Sequence, residues 1–132
     1  MTTPPAASGI RKPPAVPFGL SVLRNRPDFL KANRGKRQAM PGFVLQARRR
    51  DLAEPSETDV RVGFTCSKKV GNAVARNRAK RRLREIARLI LPVEGRPGWD
   101  YVLIGRAGET ARRPFEVLKA DLQAALSRIH DT

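Results

Sequence analysis

KKVGNAVARNRAKRRLREIAR, residues 68–88, decides how this chain is read. It holds nine Lys or Arg (68, 69, 76, 78, 80, 81, 82, 84 and 88) against one acid, Glu85. It also keeps an apolar row at helical spacing: Ala75, Ala79, Leu83, Ile86 and Ile90. A helix of this pattern docks on a core along one side and offers the other to phosphates. On a helical wheel Asn77, Lys80, Arg81, Arg84 and Arg88 fall roughly opposite Leu83, with Arg76 and Arg78 toward the flanks and Arg82 nearer the docked side. So much like charge on one helix costs self-repulsion that a polyanion would relieve. A merely solvated face mixes signs, and this one hardly does. Neutralising about six phosphates would give a log–log salt slope of roughly −4 to −5. Guanidinium groups suit that task because they bind phosphate as a two-pronged fork and stack on bases.

The rest of the composition agrees. The chain has 132 residues, a formal charge of +15 and a pI near 11.5. That length predicts one domain with one core, and that charge predicts an RNA, DNA or anionic-membrane partner. No apolar run approaches the roughly 20 residues of a membrane span. The start of the chain lacks the basic and apolar stretches of a secretory signal, so the expected compartment is cytoplasmic, with no membrane partner. Cys66, the only cysteine, excludes an internal disulfide and any multi-cysteine zinc site.

Outward from the basic helix, Asn72 is placed to cap it, and Pro92, Gly95, Pro97 and Gly98 are expected to end it. Before it, Val60–Ser67 alternates as a strand, with Val60, Val62, Phe64 and Cys66 on one face. Residues 51–59 form an acidic loop expected to point away from a nucleic acid. Phe43–Arg50 reads as a strand with Phe43, Leu45 and Ala47 toward the core and Val44, Gln46 and Arg48 on the other face. A short helix begins near Pro27 and ends by Gly35, and a further strand fits residues 36–40. Residues 1–20 are a proline-rich arm, expected to be extended or disordered, and residues 21–132 are the folded domain. After the basic helix, Asp100–Arg106 reads as a central strand, and Phe115, Leu118, Leu122, Ala125 and Ile129 mark a last amphipathic helix. The result is an α+β fold, a small two-layer sandwich of helices packed on a mainly four-stranded sheet.

Catalytic candidates are poor. His130, the only histidine, sits two residues from the end, where a frayed, solvated side chain is expected. Cys66 alternates with Val62 and Phe64 and reads as core packing. No paired carboxylates, phosphate-cradling loop or metal-ligand cluster appears, so no catalytic residue and no metal site is assigned.

SKKVGNAVARNRAKRRLRE, residues 67–85, resembles the signature of the bacterial ribonuclease P protein subunit, with its Arg-Asn-Arg core at Arg76, Asn77 and Arg78. Asp28–Phe29, Phe43-Val44-Leu45, Arg61-Val62-Gly63 and the strand 100–106 extend the similarity over about residues 21–130. The resemblance implies a protein that assists an RNA catalyst. In that family the RNA subunit uses Mg²⁺ to remove the 5′ leader of precursor tRNA, so the protein needs no cofactor of its own. Its partners would be ribonuclease P RNA, one protein per RNA, and precursor tRNA. Carried onto matching positions, Lys68, Lys69, Arg76, Asn77, Arg78, Lys80, Arg81, Arg82, Arg84 and Arg88 would bind the RNA subunit. Phe29, Val44 and Gln46 would line a cleft for the single-stranded leader, with Arg48 at its edge.

Two positions depart from the pattern. Places often aromatic in the family hold Asn33 and Gln46 here. Stacking on an unpaired base is worth roughly 1–3 kcal/mol, so this cleft is expected to rely more on hydrogen bonds and charge. The resemblance also implies a left-handed βαβ crossover around the basic helix, against a base rate of about 98% right-handed. Three rival functions fit the charge: a structural ribosomal RNA-binding protein, a DNA-compacting protein and a stand-alone nuclease. The second lacks a groove-reading or dimerisation pattern, and the third lacks a catalytic inventory.

Overall fold

The computed structural model describes residues 20–50 and 60–131. The acidic loop, and all of the arm except Leu20, fall outside them. Strand β1 (Leu20–Val22), helix α1 (Arg26–Asn33) and strands β2 (Lys36–Ala39) and β3 (Phe43–Arg49) come first. Strand β4 (Val60–Thr65), helix α2 (Ala73–Glu94), strand β5 (Trp99–Gly105), the short α3 (Glu109–Arg112) and α4 (Phe115–His130) follow. The strands form one mixed sheet in the order β1-β4-β5-β3-β2. β1, β4 and β5 run parallel, while β3 is antiparallel to both β5 and β2.

The α+β sandwich expected from the sequence is present, with five strands rather than four. β2 occupies the segment 36–40 foreseen as a further strand. β1 is the addition: three residues are too few to show alternation, and its parallel pairing with β4 makes it a strand.

One sheet face carries the main core. Phe43, Leu45, Val62, Tyr101 and Leu103 meet Leu83, Ile86 and Ile90 of α2 and Leu118, Leu122, Leu126 and Ile129 of α4. These are the faces the period-2 and period-3.6 patterns predict. The opposite face has a much smaller cluster, in which Leu23, Phe29 and Ala32 pack on Val102 and Ile104. α1 therefore covers part of that face and leaves the remainder open. Gly63 allows this packing, since a Cβ there would stand 2.6 Å from the Phe29 ring.

The crossover hand follows from one hydrogen bond. Val62 points its side chain at the α2 side, and its carbonyl accepts from the Leu23 N–H at 2.8 Å. In a strand of L-residues running upward with a side chain toward the eye, that residue's N–H and C=O point right. Seen from α2, β1 then lies right of β4 and β5 lies left. The chain passes from β4 through α2 in front to β5 on the left, a left-handed crossover.

α2 begins where Asn72 Oδ1 accepts from the Ala75 N–H at 2.9 Å. Just before it, Ser67 Oγ accepts from the Lys69 N–H to open a single 3₁₀ turn, Lys68–Val70. Gly71 then turns the chain at φ 141°, a conformation side chains other than glycine resist. Pro92 does not end α2 as expected. The helix runs to Glu94 and closes with the Gly95 N–H on the Leu91 carbonyl. Proline removes only the bond to residue 88, which is exposed, where water replaces the missing donor.

Candidate nucleic-acid interface

α2 and the turn before it expose Lys68, Lys69, Asn77, Arg78, Arg81, Arg84 and Arg88 to solvent. Among the described residues, Arg88 is the member of this set with an ion pair, 3.1 Å to Glu85. Such an exposed pair is worth little. Arg84 lies over the Phe64 ring at 5.7 Å from its centroid, which steadies a guanidinium that still faces solvent. The remaining cations face water.

Three of the sequence-derived positions sit differently. Arg82 is half-buried and its guanidinium donates to the Arg113 carbonyl, tying α2 to the α3–α4 connection. Arg76 is also half-buried, with Nε enclosed and without a hydrogen-bond partner. Lys80 is half-buried too, because on the wheel it stands only about 60° from Leu83 rather than opposite it. It overhangs the open sheet face.

There a cleft of about 420 Å³ runs between α1 and α2. Arg26, Phe29, Leu30 and Asn33 form one wall, Lys80 stands on the other, and Gln46, Phe64, Thr65, Cys66, Val102 and Ile104 form the floor. Phe29 and Gln46 thus come together as the resemblance implies. Val44 lies on the same face of β3 but is buried beside Ile104 in the sheet and does not line the cleft. Arg48 is turned to Asp100 at 3.3 Å and lines a neighbouring groove.

The two departures from the family pattern meet each other. Gln46 Nε2 donates to Asn33 Oδ1 at 2.7 Å. An amide pair thus occupies the cleft floor and wall, in a cleft that Phe29 also lines. Unpaired bases are held by this combination of an aromatic surface and edge-directed polar groups. Burial pushes the Cys66 thiol above its ordinary range, with the Gly105 backbone, Lys80 and Arg76 pulling the other way. It remains a thiol on the cleft floor rather than a nucleophile.

Sequence reasoning missed the group beneath α1. Asp100 is fully buried, and Arg61 meets it through Nε and a terminal nitrogen, both at 2.7 Å. Arg48 and Arg50 close on the same carboxylate. Asp28 of α1 stands 3.6 Å from Arg61 and joins the helix to this node. The available signal was an aspartate opening an otherwise apolar strand, since a buried carboxylate demands cationic partners.

His130 is not frayed. It packs edge-on against Trp99 at 4.6 Å and hydrogen-bonds Tyr101 through Nε2 at 2.7 Å. Burial, then Arg96 and Lys36, lowers its pKa to about 4. Burial likewise raises the Tyr101 hydroxyl to about 12. Both groups are neutral at pH 7 and serve as packing. Among the described residues no three His, Cys, Asp or Glu gather as a metal site, and no helix is long and apolar enough to cross a membrane.

This geometry has close counterparts. The family described as Ribonuclease P matches residues 20–130. The ribonuclease P protein component of Ruegeria pomeroyi is 63% identical over 122 residues, covering 89% of this chain and 96% of that one. Its counterpart in Paramagnetospirillum magneticum is 48% identical over 83% of each. Among solved structures, the ribonuclease P protein of Thermotoga maritima superposes with a TM-score of 0.66 at 32% identity, covering 81% of this chain and 96% of that one. The Staphylococcus aureus protein, at 24% identity and a TM-score of 0.64, shares the fold. With the signature helix, the fold and these relatives in agreement, this chain belongs to the ribonuclease P protein family.

Proposed function

We propose that the chain is the non-catalytic protein subunit of ribonuclease P, acting in the cytoplasm to mature the 5′ end of tRNA. The exposed cations of α2 and the preceding turn bind the catalytic RNA, one protein per RNA. The cleft holds the single-stranded 5′ leader of precursor tRNA, with Phe29 against a base and Asn33, Gln46 and Lys80 around it. The RNA subunit, with Mg²⁺, cleaves the phosphodiester. The protein's share is electrostatic and positional. Its cations offset repulsion between two polyanions brought together, which lowers the metal concentration the assembly needs. Its cleft is occupied in the precursor and vacated by the product, which favours precursor over mature tRNA.

The observation that carries this reading is the row of exposed cations on α2, of which only Arg88 has an acid partner among the described residues, beside a cleft of about 420 Å³. The test is precursor-tRNA cleavage by the cognate RNA subunit at low magnesium, with and without this protein. Strong stimulation, with no cleavage by the protein alone, is expected. Tight RNA binding without stimulation would instead indicate a structural RNA-binding role of the ribosomal kind.

A further inference from the structure

A second cationic groove lies on the far flank of α1. It encloses about 350 Å³, and Lys31, Arg34, Lys36, Arg48, Arg49 and Trp99 line it with no acid among them. Lys31, Arg34 and Arg49 are exposed, and none of them makes an ion pair among the described residues. Trp99 is held in place by Tyr101 stacked at 6.4 Å, by the His130 edge and by the Lys36 ammonium 5.9 Å from its ring. The groove therefore combines concentrated positive charge with a fixed aromatic wall, the pairing that tracks a single nucleic-acid strand. Lys31 and Arg34, at the end of α1, also offset the negative pole of that helix, which alone would repel phosphate.

The groove adjoins the leader cleft. Asn33 on the cleft wall and Arg34 on the groove wall are consecutive residues at the end of α1. Gln46 on the cleft floor and Arg48 in the groove share one face of β3, about 7 Å apart. A strand leaving the cleft around the end of α1 meets Arg34 and Arg48 first, and Lys31 and Arg49 next.

We infer that this groove is a second subsite for single-stranded RNA, taking the phosphates of leader nucleotides farther upstream than those in the cleft. The inference rests on the leader-binding role proposed for the cleft. It makes the benefit of a longer leader depend on Lys31, Arg34 and Arg49.

The experiment measures binding of the assembled RNA–protein enzyme to mature tRNA, to precursor with a leader long enough only for the cleft, and to precursor with a leader several nucleotides longer. The extended leader is expected to bind more tightly than the short one. In Lys31→Gln/Arg34→Gln/Arg49→Gln that gain disappears, the log–log salt slope for the extended leader flattens by about two, and the short leader is unaffected. If the triple variant melts early, Arg34→Gln and Arg49→Gln alone each flatten the slope by about 0.7. No gain from extension in the unaltered protein overturns the inference. Equal losses on both leaders also overturn it, because they place the patch against the RNA subunit. Failure of the underlying cleft reading looks different: the short-leader precursor would then bind no better than mature tRNA.

Discussion

Arginines do opposite work on the two faces of this sheet. Beneath α1, Arg48, Arg50 and Arg61 converge on the carboxylate of Asp100, which is wholly buried. On α2, Arg78 and Arg81 are exposed and paired with no acid among the described residues. In the first group a charge removed from water is offset by its neighbours, and the product is rigidity. In the second, charge is left in water and uncompensated, and the product is affinity for an external polyanion. The number of arginines in a segment therefore says little until their distance from an acid is known.

The sharpest way to break this contrast is Asp100→Asn. Three guanidinium groups would then lose the carboxylate on which they converge, at a cost of about 3–5 kcal/mol. For a domain of this size that is a fall in Tm on the order of 15–25 °C, read by thermal melting of the free protein. The folded fraction should bind RNA with an unchanged salt slope. A variant that melts normally would mean that something other than Asp100 holds α1 on the sheet.

The opposite signature is expected on α2. Arg78→Ala with Arg81→Ala should leave stability within about 0.5 kcal/mol per site, yet flatten the salt slope of RNA-subunit binding by about one and a half units. Arg82 tests the boundary between the two classes. It belongs to α2 by sequence, but its guanidinium is committed to the Arg113 carbonyl. Arg82→Ala should cost about 1–3 kcal/mol through the carbonyl left without its donor, with no change in salt slope. If Arg82→Ala flattened the slope and spared stability, contact with an acid or carbonyl would not be what separates the groups.

How much of this was legible in the sequence depends on how local each signal is. α2 was readable because its apolar row and its charges alternate within one turn, and Asn72 caps it from the adjacent position. β1 was not, since its three residues acquire meaning from pairing with β4, some forty residues later. The Asp100 node needs partners 39, 50 and 52 residues away, brought together by strand register. Asn33 and Gln46 were each visible as departures from the family pattern. That they bond to one another required α1 to be set across β3. Pro92 shows the reverse error, in which a strong local breaker is tolerated because it falls where solvent replaces the lost bond.

The smallest effect concerns a charge the fold suppresses. His130 touches Tyr101 and Trp99, with Arg96 and Lys36 nearby and Asp131 as the acid that partly opposes them. Its pKa falls from an ordinary 6.5 to about 4 in the folded chain, so between those values the unfolded chain holds the extra proton. The neutral imidazole's contribution to stability is complete above pH 6.5 and is lost as pH falls through 4. Stability should thus decline on acidification across that window, and His130→Phe should flatten the decline while keeping the contact with Trp99. Melting the two proteins side by side at pH 7 and at pH 4.5 gives the comparison. An equal decline in both would overturn the assignment of this acid sensitivity to His130. A smaller decline in the variant would add a third case to the two arginine groups, in which burial, reinforced by nearby cations, holds a titratable group neutral.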